Sequence, residues 1–306
     1  MARGYEPEEF TRGREGLESV ERTTPQASPA SELREQTQAE RLPSSGSQAD
    51  ALPGRSPEAR TIYEVRSRTY RLRPSEIATM VEIGKFRAVA VEDLRDFVYQ
   101  RDRSRLKPDV ENLIRQGLVQ MKSVPHEEEG SRQLVALTKP GHRLLQELRF
   151  GGQQQALYSG FAKPREADHD ANLYRLYQKA AQKIGRAGGR NLRVVLDYEL
   201  KKRVYHDLAK LGPQRNLPES RRNVAERHGL QVVRGKIPLP DLRIEYDGPD
   251  GERGRVDLEL ATSHYRGRNL VEKVKAGFSI YAQANDVAHL RRVLDQRELT
   301  AEILSL

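Results

Sequence analysis

Along this chain the apolar positions fall into two regimes. Over residues 1–60 the large apolar residues Val20, Leu33, Leu42 and Leu52 follow neither a helical nor a strand period and stand among Ser, Pro, Gln and Glu. Such a stretch cannot bury enough surface to offset its ordering entropy, so a disordered tail is expected. From Thr61 the pattern becomes regular. RPSEIATMVEIGKF places Ile77, Met80, Val81 and Ile83 on one helical face, with Ser75 as the expected N-cap. VEDLRDFVY is a second short helix with Leu94, Phe97 and Val98 inward. KPDVENLIRQGL is a third, with Pro108 in its first turn, Val110, Leu113 and Ile114 as the buried stripe, and Gly117 as the stop. VQMKSV and RQLVALT then flank the polar PHEEEGS as two strands, and KPGHRLLQELRF is a fourth helix.

Residues 151–168, with Gly, Gln and Pro, read as a linker between an ordered segment at 61–150 and a second at 169–306. HDANLYRLYQKAAQKIG is an amphipathic helix presenting Leu173, Leu176, Tyr177, Ala180 and Ile184. NLRVVLDYEL is a strand, and KKRVYHDLAKLG and PESRRNVAERHG are helices ended by Gly212 and Gly229. IPLPDLRIEY and GRVDLELAT form a hairpin, and NLVEKVKAGFSIYA another helix. The final RRVLDQRELTAEILSL fits helix or strand. The whole is a mixed fold, α+β or α/β.

Composition narrows the function classes. The 306 residues include no Cys and no Trp. Disulfides, Cys-based zinc sites, iron–sulfur clusters and a thiol nucleophile are therefore excluded. No apolar run approaches the ~18 residues of a membrane span, and MARGYEPEEF lacks the apolar core of a secretory signal, so a cytoplasmic protein is expected. The formal net charge of +9 is unevenly spread: residues 1–60 hold eight Arg and no Lys against eleven acids. The basic remainder points to an anionic partner, with nucleic acid first. No P-loop, zinc-ligand or nucleophile-elbow spacing occurs.

Three short helices, a hairpin and a further helix, with the run NLIRQGLVQMKSV…RQLVALTKPGHRLL, resemble winged helix-turn-helix domains of bacterial regulators. The resemblance implies a third helix in the major groove of double-stranded DNA and a hairpin wing along the backbone. Arg103, Arg105 and Lys107 lead into that helix, and Asn112 and Arg115 lie on its polar side. Because the wing tip HEEE is acidic, the remaining contacts are expected from Lys122 and Arg132 at the wing's base.

The second hairpin carries the candidate chemistry. Strand alternation sets Asp241, Arg243 and Glu245 on one face, and Asp257, Glu259 and Ala261 on one face of the next strand. If the strands pair, Asp241 can meet Asp257 and Glu259. Clustered carboxylates stay ionised together most readily around a divalent cation, and magnesium suits an all-oxygen site. The same pattern also suits an ordinary half-exposed sheet. His169 is either near this cluster or, with Asp170, part of a helix cap. Asp197 and Glu199 share a face of the preceding strand.

The order of helix, strand, strand with Pro240-Asp241, strand with paired acids, and helix resembles the PD-(D/E)xK, restriction-endonuclease-like core. In that family the Asp and the next strand's acid bind magnesium, and a Lys two residues on polarises the attacking water. Asp257 matches the acid and Glu259 then stands where the lysine belongs. In the alternative register Glu259 is the acid and Ala261 takes the lysine position. In both registers the strand lacks the lysine, and Lys273 on the following helix is the residue able to replace it.

Together, HDANLYRLY, IPLPDLRIEY and VDLELATSHYRGRNLVEKVKAGFSIYA after a winged helix resemble the replication-relaxation family of plasmids and mobile elements. That resemblance implies DNA binding in replication, relaxation or transfer. Replication or transfer proteins and a second copy of the chain are left open as partners. A non-enzymatic regulator and a magnesium-dependent nuclease or nickase are the two rival readings, the latter resting on Asp241, Asp257, Glu259 and Lys273.

Overall fold

The structure, a computed structural model, describes residues 59–126, 130–150, 155–161, 166–262, 265, 267–299 and 301–306. The expected tail lies almost wholly outside these residues, as does the acidic wing tip at 127–129.

The first described element is a hairpin absent from the sequence expectation. β1 (Thr61–Val65) pairs antiparallel with β2 (Arg68–Leu72), burying Val65, Tyr70 and Leu72. Its two turn residues, Arg66 and Ser67, both have positive φ, 45° and 65°. A two-residue turn of this twist matches paired strands but ordinarily uses Asn or Gly.

α1 (Pro74–Lys85), β3 (Val89–Ala90), α2 (Val91–Phe97) and α3 (Arg103–Arg115) follow, then β4 (Val119–His126), β5 (Gly130–Leu137) and α4 (Lys139–Glu147). The three strands order as β3-β5-β4, and three helices precede the β4–β5 hairpin, the order of elements expected from the sequence. Ser75 is not the N-cap of α1. Arg73 holds that position, with its N–H on Glu76 Oε2 at 2.7 Å, while Ser75 Oγ donates to Asp109 at 2.7 Å. α3 starts five residues earlier than Pro108 because Asp102 accepts from the Ser104 and Arg105 N–H groups, leaving Pro108 inside the helix. Its buried stripe is Leu106, Val110 and Leu113, and Ile114 is exposed.

Residues 155–161 of the expected linker are packed in place. The Gln155 side chain accepts from Val194 N at 2.9 Å and donates to Val194 O at 3.0 Å, as a strand neighbour would. Tyr158 N donates to Gly84 O and Gly160 N to Leu137 O, both at 2.7 Å.

α5 (Ala167–Arg186) is the long amphipathic helix, and all five expected apolar residues are buried. Its Tyr174 meets Phe86 edge-on with ring centroids 5.1 Å apart, and one apolar core runs from α1–α4 through α5 into the second sheet. Charge reinforces this join. Asp93 on α2, Arg132 on β5 and Asn172 on α5 are all buried, and Arg132 donates to Asp93 and Asn172, each at 2.8 Å.

β6 (Arg190–Leu196) ends where α6 (Asp197–Lys210) begins, so Asp197 and Glu199 lie in a helical first turn and not on a strand face. α7 (Pro218–Arg227), β7 (Leu242–Asp247) and β8 (Arg253–Ala261) follow. The expected helix over 269–282 is two elements: α8 (Gly267–Lys275) stops before Gly277, whose φ is +82°, and β9 (Ser279–Ala282) takes SIYA. The ambiguous terminus contains both forms, α9 (Ala284–Asp295) and β10 (Ile303–Ser305). The sheet order is β10-β9-β8-β7-β6, with β6–β7–β8 antiparallel and β8–β9–β10 parallel. Among the described residues, no helix is long and apolar enough to cross a membrane.

Candidate functional site

Register decides which acids meet. β7 and β8 pair Leu242 with Leu258 and Arg243 with Asp257, which sets Asp241 beside Glu259. Arg243 grips Asp257 with two bonds, Nε to Oδ1 at 2.6 Å and Nη2 to Oδ2 at 2.8 Å. Bidentate, charge-assisted pairing of this kind uses up the carboxylate. Asp257 is therefore not part of the acid cluster, and the expected triad of Asp241, Asp257 and Glu259 reduces to a pair.

Glu259 is fully buried, with Lys273 Nζ 2.6 Å from its Oε1 and Tyr265 OH donating to the same oxygen. Its Oε2 accepts from Asp241 N at 3.2 Å. Lys273 also donates to Leu239 O at 2.6 Å. Asp241, just ahead of β7 and partly exposed, accepts from Leu260 N at 3.0 Å. His169 Nε2 on α5 stands 3.8 Å from Asp241 Oδ2, and Asp197 N donates to Asp241 O at 3.1 Å. The first turns of α5 and α6, the edge of β7–β8 and the helix α8 thus converge on one place. Burial pushes both carboxyls above their ordinary range; Asp241 raises Glu259 further, Asp197 adds a smaller upward push on Asp241, and Lys273 pulls both back. Burial likewise raises the Tyr265 phenol.

The site holds proton-sharing groups next to a cation. For a divalent metal the donor chemistry is all oxygen, as magnesium prefers, but it consists of two carboxylates, with Lys273 already neutralising one. Among the described residues, no three His, Asp or Glu side chains are grouped to hold a metal ion.

Asp170 is not a cap, since Glu166 is the N-cap of α5. It is buried near Arg87, with Oδ2 4.0 Å from that guanidinium and making no hydrogen bond, and burial raises its pKa to about 6.

The expected DNA contacts divide. Arg103, Arg105, Lys107 and Arg115 on α3 and Lys122 on β4 are exposed. At 100° per residue Arg103, Lys107, Ile114 and Arg115 share one arc of about 120°, and Arg105 lies outside it, about 80° beyond Arg115. Asn112 and Arg132 are not available to DNA. Asn112 is buried and donates to Glu76 Oε1 at 2.9 Å. Arg132, 3% exposed, belongs to the α2–β5–α5 network. The hairpin β1–β2 adds basic groups that the expectation missed. Gln116, just past α3, bonds both Arg71 N and Arg71 O, so the exposed Arg68 and Arg71 are carried beside the end of α3. The alternation in YEVRSRTYRL was their available signal.

No protein-family model matches the chain, and no curated protein matches it. Among solved structures it is similar to the crystal structure of Bacillus subtilis PadR in complex with operator DNA, at 13% identity over 51% of this chain and 93% of that one, with a TM-score of 0.22. A superposition that loose fixes no activity.

Proposed function

We propose that the chain is a double-stranded-DNA-binding protein that docks α3 in the major groove and serves replication, relaxation or transfer of mobile DNA. The observation that carries the reading is α3 itself: a thirteen-residue helix ahead of a β-hairpin, with Arg103, Lys107 and Arg115 on one exposed arc. Arg is shaped for guanine edges, Lys neutralises phosphate, and exposed Ile114 can meet a thymine methyl. The order of elements from α5 to α8, with Pro240-Asp241 leading β7, supports a PD-(D/E)xK-like core for the second half. A gel-shift titration tests the reading. Lys107→Ala with Arg115→Ala is expected to weaken duplex binding at least tenfold, since one well-made base contact is worth about 1–3 kcal/mol. Unchanged affinity removes α3 from the interface.

The second reading is phosphodiester cleavage. It is favoured by Asp241 and Glu259 facing each other with Lys273 at 2.6 Å, the register in which Glu259 is the acid and Ala261 stands at the lysine position. Asp241 and Glu259 are the residues that would hold magnesium, which supplies a water of lowered pKa. Lys273, 2.6 Å from Glu259 Oε1, is then the group placed to hold a proton, at Nζ. Nicking of supercoiled plasmid in magnesium, lost in Asp241→Ala, is the expected result of this reading. A footprint with the plasmid left intact makes the protein a non-enzymatic regulator.

A further inference from the structure

The face of the sheet that carries Asp241 and Glu259 also carries an arginine-lined cleft, at the opposite end of the same strands. Its volume is about 490 Å³, and Arg193, Arg203, Arg227, Arg243, Arg253 and Arg255 line it. Register explains the gathering: Glu245 pairs with Arg255 and Asp247 with Arg253, so alternation turns these side chains toward the face shared with Arg243.

Most of the cleft's charges are already matched. Arg193 holds Glu245 at 2.7 Å, Asn191 donates to Asp247 at 2.8 Å, and Arg243 holds Asp257. Arg203 is paired with Glu199, and Arg227 is 3.7 Å from Asp207. The exceptions are Arg253 and Arg255, both exposed and, among the described residues, with no ion pair or side-chain hydrogen bond. Arg255 is nevertheless held in place. Its guanidinium lies against Gly229, just past α7, where a Cβ would come within 2.1 Å of Arg255 Cζ. A glycine there lets the planar fork rest on backbone. Two forks that make no ion pair among the described residues, one of them resting on the Gly229 backbone, have the donor geometry that suits a tetrahedral oxyanion.

We propose that this cleft binds backbone phosphates of the DNA that α3 engages, as a second contact on the same molecule. The assignment of DNA as the source rests on the DNA-binding reading; the phosphate chemistry rests on the cleft alone. From Glu259 to Arg255 along β8 is four residues, about 13 Å at strand rise. The Arg243–Asp257 rung lies between, and its guanidinium donates to His228 O and Gly229 O, closing the end of α7 over it.

The experiment measures affinity of the full chain for a labelled duplex across a salt series. It compares wild type, Arg253→Ala with Arg255→Ala, and the α3 pair Lys107→Ala with Arg115→Ala. Losing two phosphate contacts lowers the slope of log K against log salt by about 1.8. The cleft variant is expected to show that drop with an unchanged thermal transition. The single changes Arg253→Gln and Arg255→Gln, at about 0.9 each, carry the test if the double variant fails to fold. A drop in the α3 variant alone overturns the cleft and leaves α3 standing. A drop in the cleft variant alone supports the cleft and removes α3. If inorganic phosphate raises the melting temperature of wild type but not of the cleft variant, with the DNA slope unchanged, the site is one for free anions and the DNA assignment falls.

Discussion

Arg132→Met separates a structural arginine from a DNA contact. In the structure the guanidinium is 3% exposed and donates to Asp93 Oδ2 and Asn172 Oδ1 at 2.8 Å, with Asp168 Oδ1 at 3.5 Å. Breaking a buried ion pair by removing one partner costs about 3–5 kcal/mol when the remaining charge is stranded. Here Asp93 is not wholly stranded, because Arg175 holds Oδ1 from the solvent side at 2.8 Å. What remains is one bare carboxylate oxygen and one bare amide oxygen, each worth about 1–3 kcal/mol. The expected loss is therefore about 3 kcal/mol, which for a domain of this size lowers the melting temperature by roughly 6–12 °C. Asp93→Ala combined with Arg132→Met should cost less than the sum of the two single changes by at least about 1 kcal/mol, the signature of a shared network. Urea unfolding of the four proteins measures both quantities. A loss below about 1 kcal/mol in Arg132→Met, with weaker DNA binding and a shallower salt slope, would refute the burial argument and return Arg132 to the wing's base.

Two further predictions use the buried acids. Asp170 has its pKa raised to about 6 by burial, so the folded protein keeps a proton that the unfolded chain has released. The associated stability is complete below about pH 4 and is lost as pH rises through about 6, up to roughly 3 kcal/mol. Asp170→Asn should therefore flatten the melting temperature between those values, and an unchanged profile counts against the assignment. Lys273→Met removes the cation from Glu259 and Asp241, whose raised carboxyls must then ionise beside each other or stay protonated. The destabilisation is expected to be larger at pH 8 than at pH 5; equal losses at both would mean that Lys273 does not balance these acids.

What the sequence disclosed tracks the range of the interactions involved. Local periodicity was enough for α1, α2, α5 and the wing strands, where each helical face or alternation lies within a dozen residues. The hairpin β1–β2 escaped because Arg66 and Ser67 take positive φ without Asn or Gly to mark the turn. The start of α3 was misplaced because Pro108 was a stronger signal than the Asp102 cap that sets it. Asp241, Glu259 and Lys273 do come together, as strand alternation and helix spacing suggested. Asp257 does not join them, because register alone assigns Arg243 as its cross-strand neighbour. Arg132 and Asn112 could not be read as buried, since their partners Asp93 and Glu76 are 39 and 36 residues away.

Methylation interference at guanine N7 is the most direct measurement of α3 in the major groove, because N7 lies on that groove's edge and is half of the bidentate arginine contact. Duplexes bound by the full chain are separated from unbound ones, and methylated guanines are mapped in each. The account predicts discrete guanines whose methylation blocks binding of wild type, with interference at one of them lost in Arg115→Ala. Binding indifferent to N7 methylation, or a pattern identical in Arg115→Ala, contradicts the placement of α3.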